Sequence, residues 1–312
     1  MFSPAALTPR ASKFQVHISV SLCPKEHINS HSKDSCARPK RRGTTRSHIE
    51  PGSQALLRRF RYCGAQAHGK GRRCATILHL PAPKWKLAAG GRLPISTGDI
   101  LGHSQVGVYL SVIGDVLFIP RNLDDPSAEE VESAFAMETH RFQVGGSSLL
   151  GSLLRGNRHG IAVADIATED DLDELTSFGP VVVMESGVNA AGNLIECNDN
   201  GAILSPTIPE SGAQMISEVL SVPTMRTEVA GHKTVGSMLV ANNKGVLAHP
   251  DVKTHEVESI QKTLDVPVMV GTVTFGSPYV GAGCCASDSH ALVGTGSTGP
   301  ELNRIEDALG LI

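Results

Sequence analysis

The sequence predicts an α/β fold of five strand, strand, helix, strand repeats, arranged as the blades of a pseudo-fivefold ring, an α-β propeller. A glycine begins the repeats at positions 107, 151, 192, 236 and 281, in steps of 44, 41, 44 and 45 residues. This spacing is typical of repeat architectures. The fifth repeat reaches Ile312 without a closing strand. A ring could supply that strand from residues 92–96, which would leave no sheet edge unpaired.

The fourth repeat shows the unit most clearly, in GHKTVGSMLVANNKGVLAHP at 231–250. Residues 235–241 mix apolar, β-branched and small side chains, which favours a strand. The following Asn242-Asn243-Lys244-Gly245 tolerates positive φ and favours a tight turn. The unit is therefore predicted to be a β-hairpin. In the first repeat the same pattern predicts a strand at 106–112, a turn at Gly114-Asp115 and a strand at 116–119.

Each hairpin should be followed by a helix and a closing strand, as in the second repeat, where the closing strand is predicted at 181–184. A Ser or Thr three residues before an acid or amide indicates a capping box at a helix start. Four repeats carry the pattern: Ser127 with Glu130, Thr168 with Asp171, Ser211 with Gln214, and Thr298 with Glu301. In the fourth repeat the pattern fails, because Thr254 is followed by Val257.

Charge divides the chain into two parts. Residues 1–100 carry 18 Lys and Arg against 4 Asp and Glu, a net of +14, whereas residues 101–312 carry 10 against 27, a net of −17. We predict a basic, disordered extension at 1–91 and one folded domain at 92–312. The extension could be a nucleic-acid-binding arm, a transit peptide, or upstream sequence included through a misplaced start.

The seven cysteines contain no CxxC pair, so neither a zinc site nor a redox motif is predicted. No apolar run reaches the roughly 18 residues of a membrane span, and the N-terminus lacks the apolar core of a secretory signal. These features predict a soluble, cytoplasmic protein with reduced thiols and no membrane partner.

Several motifs resemble the archaeal translation initiation factor 6 family, over about 105–312. They are GGSSLLG (145–151), GNRHG (156–160), NAAGN (189–193), CNDNGAILSP (197–206), NKGVLAHP (243–250), VPVMVGTVTFGSPYVGAG (266–283) and TGPELNRIEDALG (298–310). The resemblance implies a pentein fold and a non-enzymatic factor of translation and ribosome biogenesis. Such a factor binds the intersubunit face of the large (50S) ribosomal subunit near the sarcin–ricin loop and blocks joining of the small (30S) subunit. We expect it to act as a monomer.

The acidic charge of 101–312 bears on which ribosomal component would be the anchor. A net of −17 is repelled by bare RNA phosphate, which favours a basic ribosomal protein over the adjacent rRNA. The same charge could equally serve solubility or fit a saline cytoplasm.

An enzymatic alternative follows from other pentein proteins, the guanidino-modifying enzymes with a cysteine nucleophile late in the chain. Cys284 or Cys285 would be the nucleophile, with His290 and Asp288 nearby in sequence. Both cysteines lie in a small, apolar run where free Cys is usually buried, and the glycine motif of those enzymes is absent. No cofactor is expected, because the GxGxxG at 294–299 lacks the acidic residue about 20 positions on that holds a ribose.

The predicted contact surface consists of the loops that enter the first strand of each repeat. Aromatic side chains amid small polar groups are frequent binding anchors. Tyr279 and Asn193 could instead be structural, as a core residue and as a partner for backbone groups at a strand end. The predicted ribosome-binding residues are Ser147, Ser148, Asn189, Asn193, Lys233, Phe275, Gly276, Ser277 and Tyr279.

Overall fold

The computed structural model describes residues 16–17, 93–185, 187 and 189–312. The chain divides into two compact units, Met1–Ser21 with Ala89–Ile312, and Leu22–Ala88. The described residues all belong to the first unit. The predicted extension at 1–91 lies outside the described residues, apart from the two-residue strand β1 (Val16–His17). The boundary at residue 92 therefore stays a prediction.

Five repeats follow strand β2 (Ile95–Gly98). The first contains α1 (Val106–Tyr109), β3 (Ser111–Ile113), β4 (Val116–Pro120), α2 (Asp125–Phe135) and β5 (Glu138–Phe142). The second contains α3 (Leu150–Leu153), β6 (Leu154–Gly156), β7 (Ile161–Val163), α4 (Glu169–Thr176) and β8 (Val181–Val183). The third contains α5 (Ala191–Leu194), β9 (Ile195–Cys197), β10 (Ala202–Leu204), α6 (Glu210–Leu220) and β11 (Thr224–Arg226).

The fourth repeat contains α7 (Val235–Met238), β12 (Leu239–Ala241), β13 (Val246–Ala248), α8 (Thr254–Leu264) and β14 (Val268–Val270). The fifth contains α9 (Val280–Gly283), β15 (Cys284–Ala286), β16 (Ala291–Gly294) and α10 (Gly299–Ala308). Each repeat is thus a four-residue helix, an antiparallel strand pair and a longer helix, and the first four repeats add a closing strand parallel to the second strand of the pair.

The closing strand of the fifth sheet comes from upstream of the first repeat. Strand β2 pairs in parallel with β16, with Ile95 opposite Ala291 and Thr97 opposite Val293. The prediction that a strand upstream of the first repeat fills this edge is confirmed, with its start three residues further along than expected. Strand β1 pairs with β8, Val16 opposite Val182. The described strands form five separate sheets, and none of these sheets closes on itself.

The predicted first strands at 106–112 and 235–241 are wrong in their first halves, which are the short helices α1 and α7. Backbone packing explains the helices. A Cβ on Gly151 would lie 1.9 Å from the carbonyl oxygen of Gly107, and one on Gly107 would lie 2.2 Å from that of Gly281. Only glycine permits this approach between neighbouring repeats. Four residues are also too few to display a helical period in the sequence.

Two of the four predicted capping boxes are confirmed. Thr168 exchanges hydrogen bonds with Asp171 at the start of α4. At the start of α10, the backbone N–H of Thr298 donates to Glu301 at 2.7 Å.

The other two predicted caps are wrong. Helix α2 begins at Asp125, because Asp124 accepts from the N–H of Ser127 and thus caps the helix three residues before the predicted position. Helix α6 begins after Pro209, which leaves Ser211 inside the first turn without a capping role. In the fourth repeat, where no cap was predicted at Thr254, Glu256 accepts from the N–H of Lys253 at 2.8 Å.

Within the described ranges, buried hydrophobic side chains form five clusters, and each cluster joins two repeats. Phe118 and Phe142 of the first repeat pack with Leu154 of the second. Cys285 and Leu292 of the fifth repeat pack in one cluster with α2 of the first. Every repeat therefore shares a core with two others, and the first shares one with the last.

Candidate functional site

Tight turns precede the short helices at one end of the repeats. Three of them place two successive residues at positive φ, and the turn of the fifth repeat places three. The residues are Leu101 and Gly102, Gly145 and Gly146, Ala230 and Gly231, and Thr274, Phe275 and Gly276. Gly187, in the corresponding loop of the third repeat, has a φ of 93°. We call these loops the turn face, and define it as residues 101–105, 145–149, 187, 189–190, 230–234 and 274–279.

Buried carboxylates hold three of these turns. Asp171 accepts a hydrogen bond from the N–H of Gly145 at 2.8 Å, and Glu256 accepts one from Ala230 at 3.3 Å. Glu301 accepts from Gly276 at 2.8 Å and also from Phe275, Thr272 and Thr298. Each carboxylate also accepts a backbone N–H at the start of its own helix, so the helix start fixes the turn.

The turn at Glu301 is the most strongly supported of the three. Burial alone would raise the pKa of Glu301, but the hydrogen bonds from Thr298, Gly276 and Thr272 outweigh it and hold the pKa below its ordinary value. The carboxylate is therefore ionised near neutral pH, and hydrogen bonds to an ionised group are stronger than those between neutral groups.

Phe275 is the most exposed large hydrophobic side chain among the described residues, at 82%. It has a φ of 62°, a conformation that is costly for a bulky residue. Tyr279, four residues on, is 47% exposed and lies against His232 and His249, with ring centroids 6.2 and 6.4 Å apart. A strained backbone that presents an exposed aromatic ring on a fixed turn suggests a binding surface.

His249 supports Tyr279 from beneath. Burial lowers the pKa of His249, so its imidazole is neutral near pH 7. Its Nδ1 accepts a hydrogen bond from the N–H of Asp251 at 3.1 Å. His232, in the turn face, had no signal in the sequence beyond its place three residues before a predicted strand.

Several predicted site residues already have partners within the chain. Ser148 donates to Asn122 Oδ1 at 2.7 Å, and Asn189 donates to Asp165 Oδ1 at 2.8 Å. Asn193 lies in α5 rather than in a loop, and its Oδ1 accepts from Ser237 at 3.3 Å. Ser147 pairs through its backbone with Val144. These interactions fix the side chains or loops but do not test a role in binding.

The remaining predicted residues lie in the last two loops of the turn face. Lys233 is exposed, and the contact of its neighbour His232 with Tyr279 brings the fourth and fifth loops together. Ser277 pairs through its backbone with Val273, and this bridge encloses Phe275 and Gly276. The assignment of these nine residues to binding stays a prediction.

A buried ion pair lies between the repeats. Arg155 and Glu196 are the middle residues of strands β6 and β9, where the corresponding residues of β3, β12 and β15 are Val112, Val240 and Cys285. Arg155 lies 3.3 Å from Glu196 Oε2, and Glu196 Oε1 accepts from the N–H of Ala241 at 2.7 Å. Burial raises the pKa of Glu196 to about 7, although Arg155 opposes the shift.

The three described cysteines are buried and form no disulfide. Burial raises the pKa of Cys284, and that of Cys285 to about 12, which keeps both thiols protonated. A nucleophilic cysteine needs the opposite shift. Among the described residues no cluster of three or more His, Cys, Asp or Glu could hold a metal ion. None of the helices in the described ranges is both long and apolar enough to cross a membrane.

Comparison with known proteins gives a consistent result. Residues 95–308 match the model of the eIF-6 family. The chain is 44% identical over 213 residues to translation initiation factor 6 of Halorubrum lacusprofundi, and 42% identical over 213 residues to that of Natronomonas pharaonis. It is 35% identical over 212 residues to the factor of Methanospirillum hungatei. Each match covers 68% of this chain and 96% of the relative. These relatives are named as initiation factors, not as enzymes.

Proposed function

The chain belongs to the eIF-6 family, and on that premise we propose that it binds the large (50S) ribosomal subunit at its intersubunit face. Bound there, it prevents premature association with the small (30S) subunit by occupying the surface that the small subunit needs. This action requires a stable contact and no bond chemistry. It is consistent with the protonated thiols of Cys284 and Cys285.

We further propose that the five repeats close into a pentein ring. Three contacts support this architecture, because they join β2 or the first repeat to the fifth repeat. They are the pairing of β2 with β16, the approach of Gly107 to Gly281, and the shared cluster that contains Cys285 and Leu292. In such a ring the five loops of the turn face surround one end of the axis.

The exposed ring of Phe275, carried on a fixed turn, is the observation that carries the binding proposal. Glu301 holds the backbone N–H groups of Phe275 and Gly276, so the turn loses little conformational freedom on binding and more of the buried area contributes to affinity. Tyr279 adds a second aromatic ring with a polar end, and Lys233 adds a cation. Aromatic side chains of this kind are frequent hot spots.

The polar members of the proposed surface have a supporting role. Ser148, Asn189 and Asn193 each hydrogen-bond within the chain, so they would contribute by shaping the loops. Ser147, Gly276 and Ser277 would contribute backbone groups close to the partner.

The proposed anchor on the ribosome is a basic protein near the sarcin–ricin loop, with adjacent rRNA at the periphery. The net charge of −17 over residues 101–312 favours a basic protein over RNA phosphate. We propose that the protein acts in the cytoplasm as a monomer, and that residues 92–312 form the binding domain.

Sedimentation of purified ribosomal subunits tests this proposal. The unmodified chain should bind 50S and reduce 70S formation, whereas Phe275→Ala and Tyr279→Ala should each weaken binding by roughly tenfold or more. Ile312→Ala is the matched control, because Ile312 is 79% exposed and lies outside the turn face.

Thermal melting should show that all three variants fold like the unmodified protein. If the unmodified chain leaves 70S formation unchanged at excess, the proposed function is wrong. If the unmodified chain acts as proposed and Phe275→Ala and Tyr279→Ala bind 50S as tightly as it does, the function stands but the contact surface lies elsewhere.

A further inference from the structure

Asparagine side chains tie the repeats together at the hairpin turns, the end of each strand pair away from the turn face. The amide nitrogen of Asn157 donates to the carbonyls of Asn198 and Leu220 at 3.1 and 2.9 Å. That of Asn198 donates to Asn242 and Leu264 at 3.2 and 2.9 Å. In each case one nitrogen bridges the next hairpin and the end of the next long helix.

The third bridge is the last of this series. Asn242 donates to Ser287 and Leu309 at 2.9 Å each. In the fifth repeat Ser287 takes the position that Asn occupies in the second, third and fourth repeats. Its one hydroxyl proton is donated to the carbonyl oxygen of His290 in its own turn. The hairpin of the first repeat is also shorter, with two residues between β3 and β4. Helix α2 therefore ends without an amide bridge from the fifth repeat.

A cavity of about 200 Å³ lies among the hairpin turns of all five repeats and extends to this break. The space is roughly ten times what one water molecule needs. Both sides of the break contribute to its wall, the short hairpin and helix end of the first repeat and the turn of the fifth: Gly114, Asp115, Phe135, Ala136, Ser287 and Asp288.

The wall of the cavity is negative. Its charged residues, within the described part of the chain, are Asp115, Asp199, Asp288 and Arg158. Arg158 is paired with Asp199 at 2.6 Å. Asp288 accepts two hydrogen bonds from Asn243, and α2 has no basic residue in its last turn. The carbonyl end of a helix favours a cation.

A second, smaller cavity of about 30 Å³ shares five lining residues with the first, one from each repeat: Val112, Gly156, Cys197, Ala241 and Ala286. Glu196 lines this inner space with its side chain 2% exposed. Its Oε2 accepts no hydrogen bond from any described residue, although Arg155 lies 3.3 Å away. Arg155 lines the same space and its Nε also makes no hydrogen bond to a described residue, so the ion pair leaves hydrogen-bonding capacity unused on both groups.

We propose that the cavity at the hairpin end binds a primary ammonium group of a linear polyamine. In the three intact bridges a single nitrogen donates to two carbonyls at about 3 Å. An ammonium also has one nitrogen, with three donors. Two of these N–H donors take the place of the absent amide bridge at the end of α2, and the third donates to the carboxylate of Asp115 or Asp288. The aliphatic chain lies along the apolar residues that lead toward Glu196.

Calorimetric titration of the full chain with spermidine tests this site. Spermidine should bind, and fully N-methylated spermidine, which keeps the three positive charges but has no N–H donors, should bind roughly 10- to 100-fold more weakly. Ser287→Asn should install the missing amide, reduce spermidine affinity by a similar factor and raise Tm by roughly 2–4 °C. Ser133→Asn is the matched control and should bind spermidine normally, because Ser133 is exposed on α2 and does not line the cavity.

Asp115→Asn gives an independent test, because Asp115 is exposed and its replacement leaves the packing unchanged. It should weaken spermidine binding several-fold. Equal affinity for spermidine and its fully N-methylated form would overturn the proposal, as would normal spermidine binding by both Ser287→Asn and Asp115→Asn. Tighter binding of N-acetyl-lysine amide than of spermidine would assign the ammonium to a protein side chain instead of a free polyamine.

Discussion

The two ends of the repeats are built by different means. At the turn face, carboxylates on the long helices hold the backbone of the turns within the same repeat, as Glu301 holds Gly276. At the hairpin end, amides reach from one repeat to the next, as Asn198 reaches Leu264. The first arrangement leaves the side chains of the turns free to vary, whereas the second uses the side chains themselves.

Because of this difference, the two ends offer different kinds of binding site. Phe275 at the turn face can be exposed because only its backbone N–H is needed to hold the turn. At the hairpin end a binding site arises where the series of bridges stops, at Ser287. The turn face can therefore present a broad surface to a large partner, and the hairpin end offers a small, charged cavity.

Both ends depend on the glycines at which the short helices pack against one another. Replacing one of these glycines should therefore give the largest loss of stability. A Cβ on Gly192 would lie 2.0 Å from the carbonyl oxygen of Gly151 and 3.1 Å from that of Leu154. Gly192→Ala should lower the free energy of unfolding by about 3 kcal/mol or more, measured by urea denaturation. Gly299→Ala should change it by less than about 0.5 kcal/mol, because nothing lies within 4 Å of its added Cβ. Equal stability of the two variants would contradict the close packing.

The bridges of the hairpin end should be unequal in strength. Asn198→Ala removes donors from two buried carbonyls and an acceptor from the N–H groups of Asn200 and Gly201. It should cost about 2–4 kcal/mol of unfolding free energy. Ser287→Ala, at the same position of the fifth repeat, should cost less than about 1 kcal/mol, since its bonds stay within one turn. Similar costs would mean that the series of bridges does not end there.

Between the two ends, Glu196 should make stability depend on pH. Its folded pKa of about 7 is above the ordinary 4.5, so the folded state holds the proton more tightly. The stabilisation of the folded state by protonated Glu196 is fully present below about pH 4.5 and is lost as pH rises through 7. Gln does not titrate, so Glu196→Gln should not lose stability in this way. The measurement is the difference in unfolding free energy between the two proteins, plotted against pH. Glu301, whose pKa is lowered, acts in the opposite direction in both proteins and cancels in that difference. Parallel curves from pH 4.5 to 7.5 would contradict the raised pKa.

Local signals predicted much of the fold. The turn at Asn242-Asn243-Lys244-Gly245, the closing strand Val181–Val183 and the capping box of Thr168 with Asp171 each depend on residues that are close in sequence. The order of the repeats followed from their spacing. The strand that completes the fifth sheet was predictable because a sheet edge needs a partner.

The features that the sequence did not predict depend on contacts between distant residues. The short helix α7 exists because Gly236 packs against the backbone of Gly192, 44 residues away. The bridge from Asn157 to Leu220 spans 63 residues. At the candidate site, Phe275 was predicted as a binding residue, but the hydrogen bonds from its loop to Glu301 depend on the packing of helix α10, 25 residues further along. Asn193 was placed in a loop because α5 has four residues and no readable period.

The pairing of β2 with β16 has a consequence for how the chain folds during synthesis. Ile95 leaves the translating ribosome about 200 residues before its partner Ala291. In the first four repeats the strand pair and its closing strand are close in the chain, whereas the fifth repeat's strand pair takes its closing strand from upstream of the first repeat. Closing so long a loop is slow relative to local pairing. A circular permutation that moves residues 93–104 behind residue 312 would place β2 close in sequence to β16. Completing the fifth sheet would then be a local step and would no longer require closure of a loop of about 200 residues.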